Sequence, residues 1–332
     1  MVASKAAYAS VHVPAAWPRV EFTSLGESAE SALKFMEFAT ECRELTLAHE
    51  SPSEILAFLE AVADLAVADS ITTLVVRVVV VDALDNPPRV SSKIFRALAK
   101  FPNLETLHVH LGTAKARLKL KNISMPRLRT LRIIERHNTD DDEMFHIVRG
   151  VLRATVLFAE SDFPALETLE LTLASSSDVL NAVYSMPELR RLVYRSRDDT
   201  YEEGHADLGD RRLDSLTLTP APVQPGGACL RVLLKYGIIT ARHVTLLVSS
   251  NLELDDLPGV EELTLVLVHG ADVSVSWHVL KQLHAVNISG DGHGIFRVHH
   301  CRMLEFARFW KNNVHMDFHR DCILITDSSG LL

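Results

Sequence analysis

One short apolar pattern recurs along most of the chain and constrains its fold more than any other feature. It consists of an apolar residue, two other residues, a second apolar residue, one other residue and a third apolar residue. Clear copies begin at Leu104, Leu128, Leu166, Leu189, Leu213, Val260 and Leu283, and weaker copies begin at Cys42, Ile71 and Ala241. Because side chains alternate between the two faces of a strand, each copy predicts a short strand with its apolar residues on one face.

A dipeptide of a bulky residue and proline precedes several of these predicted strands. The copies are Phe101-Pro102, Met125-Pro126, Phe163-Pro164, Met186-Pro187 and Leu257-Pro258, and Trp17-Pro18 stands in the same way before a reduced copy at Val20 and Phe22. Proline disfavours the helical conformation in the residue before it, so the dipeptide is expected to end a helix and start a strand. The bulky residue is expected to be buried at that corner.

Between the predicted strands, apolar residues recur at helical spacing in 28–39, 53–68, 91–100, 143–158 and 177–184. The repeat, at intervals of 19 to 38 residues, predicts an α/β leucine-rich-repeat solenoid, with a curved parallel sheet on the concave face and helices and loops on the convex face. The predicted organisation is an N-terminal cap segment over 1–40, the solenoid over 41–325 and a C-terminal tail over 326–332. A doubly wound α/β sheet also alternates strands and helices, but no glycine-rich phosphate loop follows an early strand.

Composition and charge narrow the class of protein. The 332 residues carry a net charge of -9 and are 47% hydrophobic, which fits a folded soluble chain. The acidic balance, without a basic patch, argues against a nucleic-acid partner. The longest strongly apolar run, 71–81, is too short to cross a bilayer, and the first 17 residues form no clear signal peptide. Four cysteines without a C-x-x-C pair favour a reducing compartment, so the chain is expected to be cytoplasmic or nuclear, without a membrane partner.

The residue between the last two apolar positions of each copy is expected to point onto the concave face. From the first to the last copy this column is Thr46, Val75, His108, Arg132, Glu170, Val193, Thr217, Thr245, Thr264 and Asn287. With flanking residues, the candidate partner contacts are His108, His110, Arg132, Glu170, Arg191, Arg195, Thr217, Thr245, Thr264 and Asn287. Their hydroxyls and mixed charges suit hydrogen bonding to a protein or peptide and include no poised acid–base pair. Threonine is also favoured on any exposed sheet, so β propensity alone explains part of this column.

Four other clusters have simpler interpretations than a ligand site. The C-terminal region is rich in residue types that bind metals, namely His293, His299, His300, His315, His319, Cys301 and Cys322. Adjacent histidines point apart, however, so histidines at the surface are the simpler interpretation. The loop Gly290–Gly294 has Ile295 where a dinucleotide fingerprint needs a third glycine. The acidic run 140–143 fits a helix N-terminus, and 195–212 fits a solvated loop or a partner-specific insertion. No catalytic residue, cofactor or metal is predicted.

The segment Phe101 to Val109, with its echoes at 125–133 and 163–171, resembles the irregular leucine-rich repeats of F-box proteins. Fungal members are the most similar in style, as in the stretch 230–248, and the resemblance covers about residues 40 to 325. It implies repeats that hold a substrate, paired with an F-box that docks on the Skp1–cullin ubiquitin-ligase machinery. The nearest match to the start of an F-box, 51–56, follows a predicted repeat strand and is interpreted as a repeat helix. The chain therefore carries no recognisable F-box.

These features predict a protein–protein interaction module that is not an enzyme. The resemblance extends this expectation to substrate recognition of the F-box type, with an unidentified protein and Skp1 or cullin as partners. The alternative is a stand-alone structural scaffold or inhibitor without a ubiquitin-ligase role. Recovery of Skp1 or cullin with the chain would separate the two.

Overall fold

A computed structural model of the chain shows two compact units. One is built from Met1–Leu173 with Asn181–Leu189, and the other from Ala174–Leu180 with Arg190–Leu332. The structure describes residues 15–23, 29–79, 89–111, 115–120, 123–134, 155–157, 163–172, 186–195, 212–219, 240–248, 252–254, 259–267, 272–276, 285–290, 294–299, 308–309 and 314–318.

The first unit alternates strands with helices and shorter strands. Its strands are β1 (Ala15–Ala16), β2 (Arg19–Phe22), β3 (Ala39–Glu41), β4 (Glu44–His49), β5 (Thr73–Val78), β6 (Arg89–Val90), β7 (Thr106–His110), β8 (Lys115–Lys119), β9 (Thr130–Ile134), β10 (Thr155–Leu157) and β11 (Thr168–Thr172). Its helices are α1 (Ala29–Phe38), α2 (Pro52–Ala63) and α3 (Lys93–Leu98), and a 3-10 turn covers Ala66–Ser70.

Six strands of this unit are hydrogen-bonded in the order β2-β4-β5-β7-β9-β11, and every described pairing is parallel. The order follows the chain without reversal. A doubly wound sheet would instead reverse its strand order at a switch point. Each new segment of chain therefore adds its strand beside the strand of the segment before it. The fold is α/β with a parallel sheet, as predicted.

The apolar positions of the repeat form the core. In β7, Leu107 and Val109 are fully buried, and the equivalent residues of β9, Leu131 and Ile133, are at most 1% exposed. The same holds for Leu45, Leu47, Leu74, Val76, Leu169 and Leu171. Burying each such side chain stabilises the fold by about 1.5–3 kcal/mol relative to leaving it exposed. The predicted core face of these strands is therefore confirmed.

Four of the bulky residue–proline corners are β-turns. At Phe101, Met125, Phe163 and Met186 the residue before proline is buried and its carbonyl accepts a hydrogen bond from the N–H three residues later. Trp17, before Pro18, is only partly buried, so the expected burial is confirmed at four of the five described corners. Proline at the second position of such a turn supplies the required φ angle. The next strand then begins at once, since the N–H groups of Glu105 and Thr106 both donate to the carbonyl of Thr72.

Helix α2 shows why these connecting segments become helical. The Oγ of Ser51 accepts a hydrogen bond from the N–H of Glu54 at 3.4 Å, and Pro52 occupies the first turn. Both features favour a helix start. Apolar residues at helical spacing, including Ile55 and Leu59, are then completely buried against the sheet side of the unit. The three helices predicted first along the chain are thus confirmed at 29–38, 52–63 and 93–98.

The described part of the predicted cap segment belongs to the same core. Strand β2 pairs with β4, and Phe22 makes edge-to-face contacts with Phe35 of α1 at 6.1 Å and Phe58 of α2 at 5.5 Å between ring centroids. Trp17 stacks at a tilt on Phe35 at 5.6 Å. The reduced copy at Val20 and Phe22 therefore supplies a strand of the sheet.

The second unit is also parallel, but its described connecting elements are strands. Its elements are β12 (Arg191–Arg195), β13 (Arg212–Thr219), β14 (Thr240–Val248), β15 (Leu252–Leu254), β16 (Glu262–Leu267), β17 (Asp272–Ser276), β18 (Ala285–Gly290), β19 (Gly294–His299), β20 (Arg308–Phe309) and β21 (Val314–Phe318). The order β12-β13-β14-β16-β18-β20 continues one strand per repeat, and β15-β17-β19-β21 forms a separate four-stranded sheet.

This second sheet differs from the predicted helices and loops of the convex face. The segments 272–276, 296–299 and 314–318 alternate apolar and polar residues with a period of two, which favours a strand over a helix. The same difference occurs in the first unit, where β6, β8 and β10 form a three-stranded sheet and β10 lies within the helix predicted over 143–158. The rest of that predicted helix and the one over 177–184 lie outside the described residues.

Candidate functional site

The residues between the core positions of six strands form one row across the first unit. The register makes them successive partners: Glu21, Thr46, Val75, His108, Arg132 and Glu170. This set is named the central row. It reproduces the predicted column from Thr46 to Glu170, and Glu21 extends it by one strand. Adjacent strands lie about 4.8 Å apart, so the row is about 24 Å long.

Arg132 and Glu170 form an ion pair at one end of the central row. The Nε of Arg132 donates to Oε2 of Glu170, and the two residues are direct partners in β9 and β11. The side chain of Glu170 is 16% exposed and that of Arg132 is 41% exposed. The bond uses Nε, so the terminal nitrogens of the guanidinium keep further donor capacity.

Arg77 forms a second ion pair by reaching across β4. Its Nη1 lies 3.5 Å from Oε1 of Glu21, although β4 separates their strands β5 and β2. The Arg77 side chain therefore extends over β4, where Thr46 is only 1% exposed and Ala48 is 6% exposed. The Thr46 Oγ1 and the Arg77 Nε are buried there without a hydrogen-bond partner among the described residues. The ion pair of Arg77 with Glu21 therefore lies at the other end of the central row.

His108 occupies the middle of the central row between Val75 and Arg132. Its side chain is half-buried, and this burial lowers the pKa of His108 below the ordinary value of 6.5. The charge of Arg132 lowers that pKa further, while Glu170 and Glu44 oppose the shift. The imidazole is therefore neutral at neutral pH, with one ring nitrogen able to donate a hydrogen bond and the other able to accept one.

Two further rows flank the central row on the same face. One, named the threonine row, places Arg19, Glu44, Thr73, Thr106, Thr130 and Thr168 in register. Its four threonines are half-buried, and the Nε of Arg19 lies 3.2 Å from Oε1 of Glu44. The other row sets Ala48, Arg77, His110 and Ile134 side by side. Hydroxyl groups thus border a strip of charged and imidazole groups.

The second unit has an uncharged version of the same row on β12, β13, β14, β16 and β18. Val193, Thr217, Thr245, Thr264 and Asn287 are successive register partners, and Arg308 follows. The three threonines are half-buried. This part of the predicted column therefore offers mainly hydroxyl groups.

A histidine lies beside that hydroxyl row. The Nδ1 of His243 lies 3.1 Å from the carbonyl of Asp214, and its Nε2 lies 3.5 Å from Oε2 of Glu262. Because a carbonyl only accepts, Nδ1 carries the proton in this contact. The Glu262 carboxylate then faces the remaining ring nitrogen.

The predicted contact residues divide between the two units. His108, Arg132 and Glu170 share the central row, and His110 lies two residues along β7 beside Arg77. Thr217, Thr245, Thr264 and Asn287 form the row of the second unit, and Arg191 and Arg195 end β12 as partners of Ser215 and Thr219.

Sequence reasoning did not predict that Glu21 and Arg77 are charged residues of this sheet face. Glu21 stands between Val20 and Phe22 in the reduced first copy, and Arg77 follows the column residue Val75 by two positions. Glu21 would have been found by including the reduced copy in the column. Arg77 would have been found by continuing the alternation two residues beyond Val75. Their ion pair, however, depends on the order of three strands.

The other predicted clusters lie largely outside the described residues. His299 lies in β19 and His315 in β21, while His293, His300, His319, Cys301 and Cys322 are outside the described residues. So are the acidic run 140–143 and residues 196–211 of the charged stretch. Within the described ranges no group of three or more His, Cys, Asp or Glu side chains is arranged to hold a metal ion. In the same ranges no helix has the length and apolar character needed to cross a membrane.

Comparisons of the chain with models of protein families, with curated proteins and with solved structures found no match. The functional inference therefore rests on the geometry of the sheet face. That geometry supplies ion-paired, hydroxyl and imidazole groups over several strands.

Proposed function

We propose that the chain is a leucine-rich-repeat solenoid that acts as a protein–protein interaction module, with the central row and the threonine row as its binding surface. The sequential order of parallel strands and the buried apolar positions of each repeat support the solenoid. Repeat proteins of this kind bind partners over extended surfaces made by many repeats.

The observation that carries the proposal is the in-register central row. Six neighbouring strands contribute one side chain each, and the row ends in two ion pairs with a neutral imidazole between them. Such a set is suited to hydrogen bonding and charge pairing with a protein surface. We infer binding without catalysis, because the row's two carboxylates are both held by arginines.

Substrate recognition of the F-box type is the more specific form of this proposal. The partner held by the face would then be a substrate, and Skp1 and cullin would join through another part of the assembly. The segment 51–56, the nearest match to the start of an F-box, forms the first turn and a half of α2, in which Ile55 is fully buried. That observation favours the alternative, a stand-alone scaffold or inhibitor without a ubiquitin-ligase role.

Affinity isolation with two matched variants tests the proposal. Thr130→Trp places a bulky side chain on the threonine row, and Glu60→Trp places the same side chain on the exposed face of α2. We expect the Thr130→Trp chain to lose bound proteins that the wild type and the Glu60→Trp chain retain. Equal recovery by both variants would contradict the proposed surface. Skp1 or cullin among the retained proteins would support the F-box form, and their absence would support the stand-alone form.

A further inference from the structure

Strand β4 is buried on both of its faces. On the core face Leu45 and Leu47 are fully buried, and on the polar face Thr46 is 1% exposed and Ala48 is 6% exposed. The central-row residue of β7, His108, is by contrast only half-buried. A threonine hydroxyl at the depth of Thr46 needs a hydrogen-bond partner, because burying a polar group without one destabilises the fold.

The side chain of Arg77 crosses β4 above this hydroxyl. Arg77 is the register partner of Ala48, and Glu21 is the register partner of Thr46. The Arg77 Nη1 lies 3.5 Å from the Glu21 Oε1, so the arginine side chain passes between these two positions of β4. With strands about 4.8 Å apart and alternate residues about 6.6 Å apart, the Cα atoms of Arg77 and Glu21 are about 12 Å from each other. The Nε of Arg77, near the middle of that span, therefore lies over β4 beside the Thr46 side chain.

Two polar atoms are left in the same buried place. The Oγ1 of Thr46 and the Nε of Arg77 are both buried, and neither has a hydrogen-bond partner among the described residues. The Nε–H group only donates, whereas the hydroxyl both donates and accepts. Buried polar groups in folded proteins are nearly always bonded to protein or to ordered water. A small group that accepts from Nε and also bonds to the hydroxyl would satisfy both atoms.

We propose that the fold binds one internal water molecule between the Nε of Arg77 and the Oγ1 of Thr46, on the polar face of β4. The water accepts the Nε–H and bonds to the hydroxyl, and its remaining proton is directed to the Glu21 carboxylate. Three polar partners are the usual number for a buried water. The charges favour a neutral ligand, because an anion would lie beside the Glu21 carboxylate and a cation beside the guanidinium.

This water site goes beyond the proposed function, since it stabilises the fold whether or not the face binds a protein. It also limits the part of the face that a partner can reach. Thr46 and Val75, the central-row residues of β4 and β5, are at most 7% exposed. The accessible part of the central row therefore begins at His108.

A high-resolution crystal structure of the full chain tests the site directly. We expect a density peak at about 2.7–3.2 Å from both the Nε of Arg77 and the Oγ1 of Thr46. Soaking the crystal in bromide separates water from a halide ion, because bromide scatters anomalously. A water gives no anomalous signal at this position after the soak.

The sign of a stability change provides an independent test. Thr46→Val keeps the shape of the side chain and removes the hydroxyl. Removing a hydroxyl that has no partner leaves stability unchanged or raises it, whereas removing one that is bonded to water lowers it. We expect the equilibrium constant for unfolding, measured in urea, to rise about fivefold. The matched variant Thr40→Val, at the exposed position of β3, should change that constant by about twofold or less.

Three results would overturn the water site. The first is a wild-type crystal structure in which the two atoms bond to protein groups or have no density between them. The second is an anomalous bromide peak at the site, which would identify an anion. The third is a Thr46→Val chain that is as stable as the wild type or more stable. If Thr46→Val does not fold, the wild-type crystal and its bromide soak decide.

Discussion

Arg132 and Glu170 are direct neighbours on two parallel strands although 38 residues separate them in the sequence. The pairing depends on one strand being added per repeat in constant register. Each repeat places its column residue beside the column residue of the next one, whatever the length of the segment between them. The polar face is therefore a product of the repeat, and its chemistry follows from one position in each copy.

Removing one partner of this pair should destabilise the fold. Arg132→Met leaves the Glu170 carboxylate, which is 16% exposed, without its partner. We expect the free energy of unfolding to fall by about 1–3 kcal/mol, because Arg132 is partly solvated and the cost for a fully buried pair is larger. The double variant Arg132→Met with Glu170→Gln should recover part of that loss in urea unfolding.

The pair Arg129 and Glu167 is the control for that measurement. Its nitrogen and oxygen lie 3.6 Å apart, with the side chains 62% and 47% exposed. Arg129→Met is therefore expected to cost less than about 1 kcal/mol. Equal losses for the Arg129 and Arg132 variants would show that the half-buried pair has no special structural role.

Ser70 should be needed to join the 3-10 turn to the neighbouring repeat. Its Oγ accepts a hydrogen bond from the N–H of Cys42 at 2.8 Å and also lies within hydrogen-bond distance of the Val67 carbonyl. Because Cys42 is completely buried, Ser70→Ala leaves a buried N–H without its partner, and about 1–3 kcal/mol of stability should be lost. Thermal unfolding of Ser70→Ala and Ser70→Thr tests this, since the threonine retains the hydroxyl. Indistinguishable Tm values for both variants and the wild type would exclude the role.

The start of α2 should depend on Ser51. Ser51→Ala removes the acceptor of the Glu54 N–H, and loss of such a cap costs about 0.5–2 kcal/mol. Glu60→Ala, on the exposed side of the same helix, is the matched substitution and should change stability by less than about 0.5 kcal/mol. Urea unfolding of the two variants makes the comparison, and a larger effect of Glu60→Ala would argue against the cap.

Cys42 should be unreactive in the folded chain. Burial, with a smaller contribution from the nearby Glu44 charge, raises the pKa of the Cys42 thiol to about 12, although hydrogen bonds with the backbone of Val20 and Glu44 oppose the shift. Because the thiolate is the reactive form, iodoacetamide at about pH 8 should label Cys42 only after unfolding in urea. Replacing the other three cysteines by serine isolates its signal, and rapid labelling of the folded chain would contradict the burial.

The raised pKa of the Cys42 thiol also makes the stability of the fold depend on pH in a predictable direction. Its pKa in the folded chain, about 12, is above the ordinary value of 9.0, so the unfolded chain releases the proton first as the pH rises. The stabilisation is therefore complete below pH 9.0 and is lost progressively as the pH rises toward about 12. Cys42→Ala should flatten this part of the pH–stability profile. An identical alkaline profile for Cys42→Ala and the wild type would contradict the shift.

The parts of the fold that follow from local pattern were predictable from the sequence. The alternation around Leu107 and Leu131 identified buried positions because only one strand face meets the core, and the residue before Pro102 or Pro126 is buried because the turn points it inward. The helices at 29–38 and 52–63 follow from apolar spacing and, for the second, a capping serine.

The contacts between repeats could not be predicted, because they depend on which strands become neighbours in the sheet. Arg77 finds Glu21 only because β2, β4 and β5 are adjacent in that order, so their contact cannot be read from either copy alone. The strands at 272–276 and 294–299 are too short to be stable by themselves, although their sequences favour a strand. Their pairing with neighbouring segments stabilises them.

Site-specific photo-crosslinking tests the proposed binding surface most directly. Benzoylphenylalanine is introduced at Thr106, in the threonine row, and in a second chain at Arg96, on the exposed side of α3. After irradiation in cell extract, we expect the chain labelled at position 106 to form a discrete adduct with a partner protein, and the chain labelled at position 96 to form none. Adducts from position 96 alone, or the same adducts from both positions, would contradict a binding surface on the polar face of the sheet.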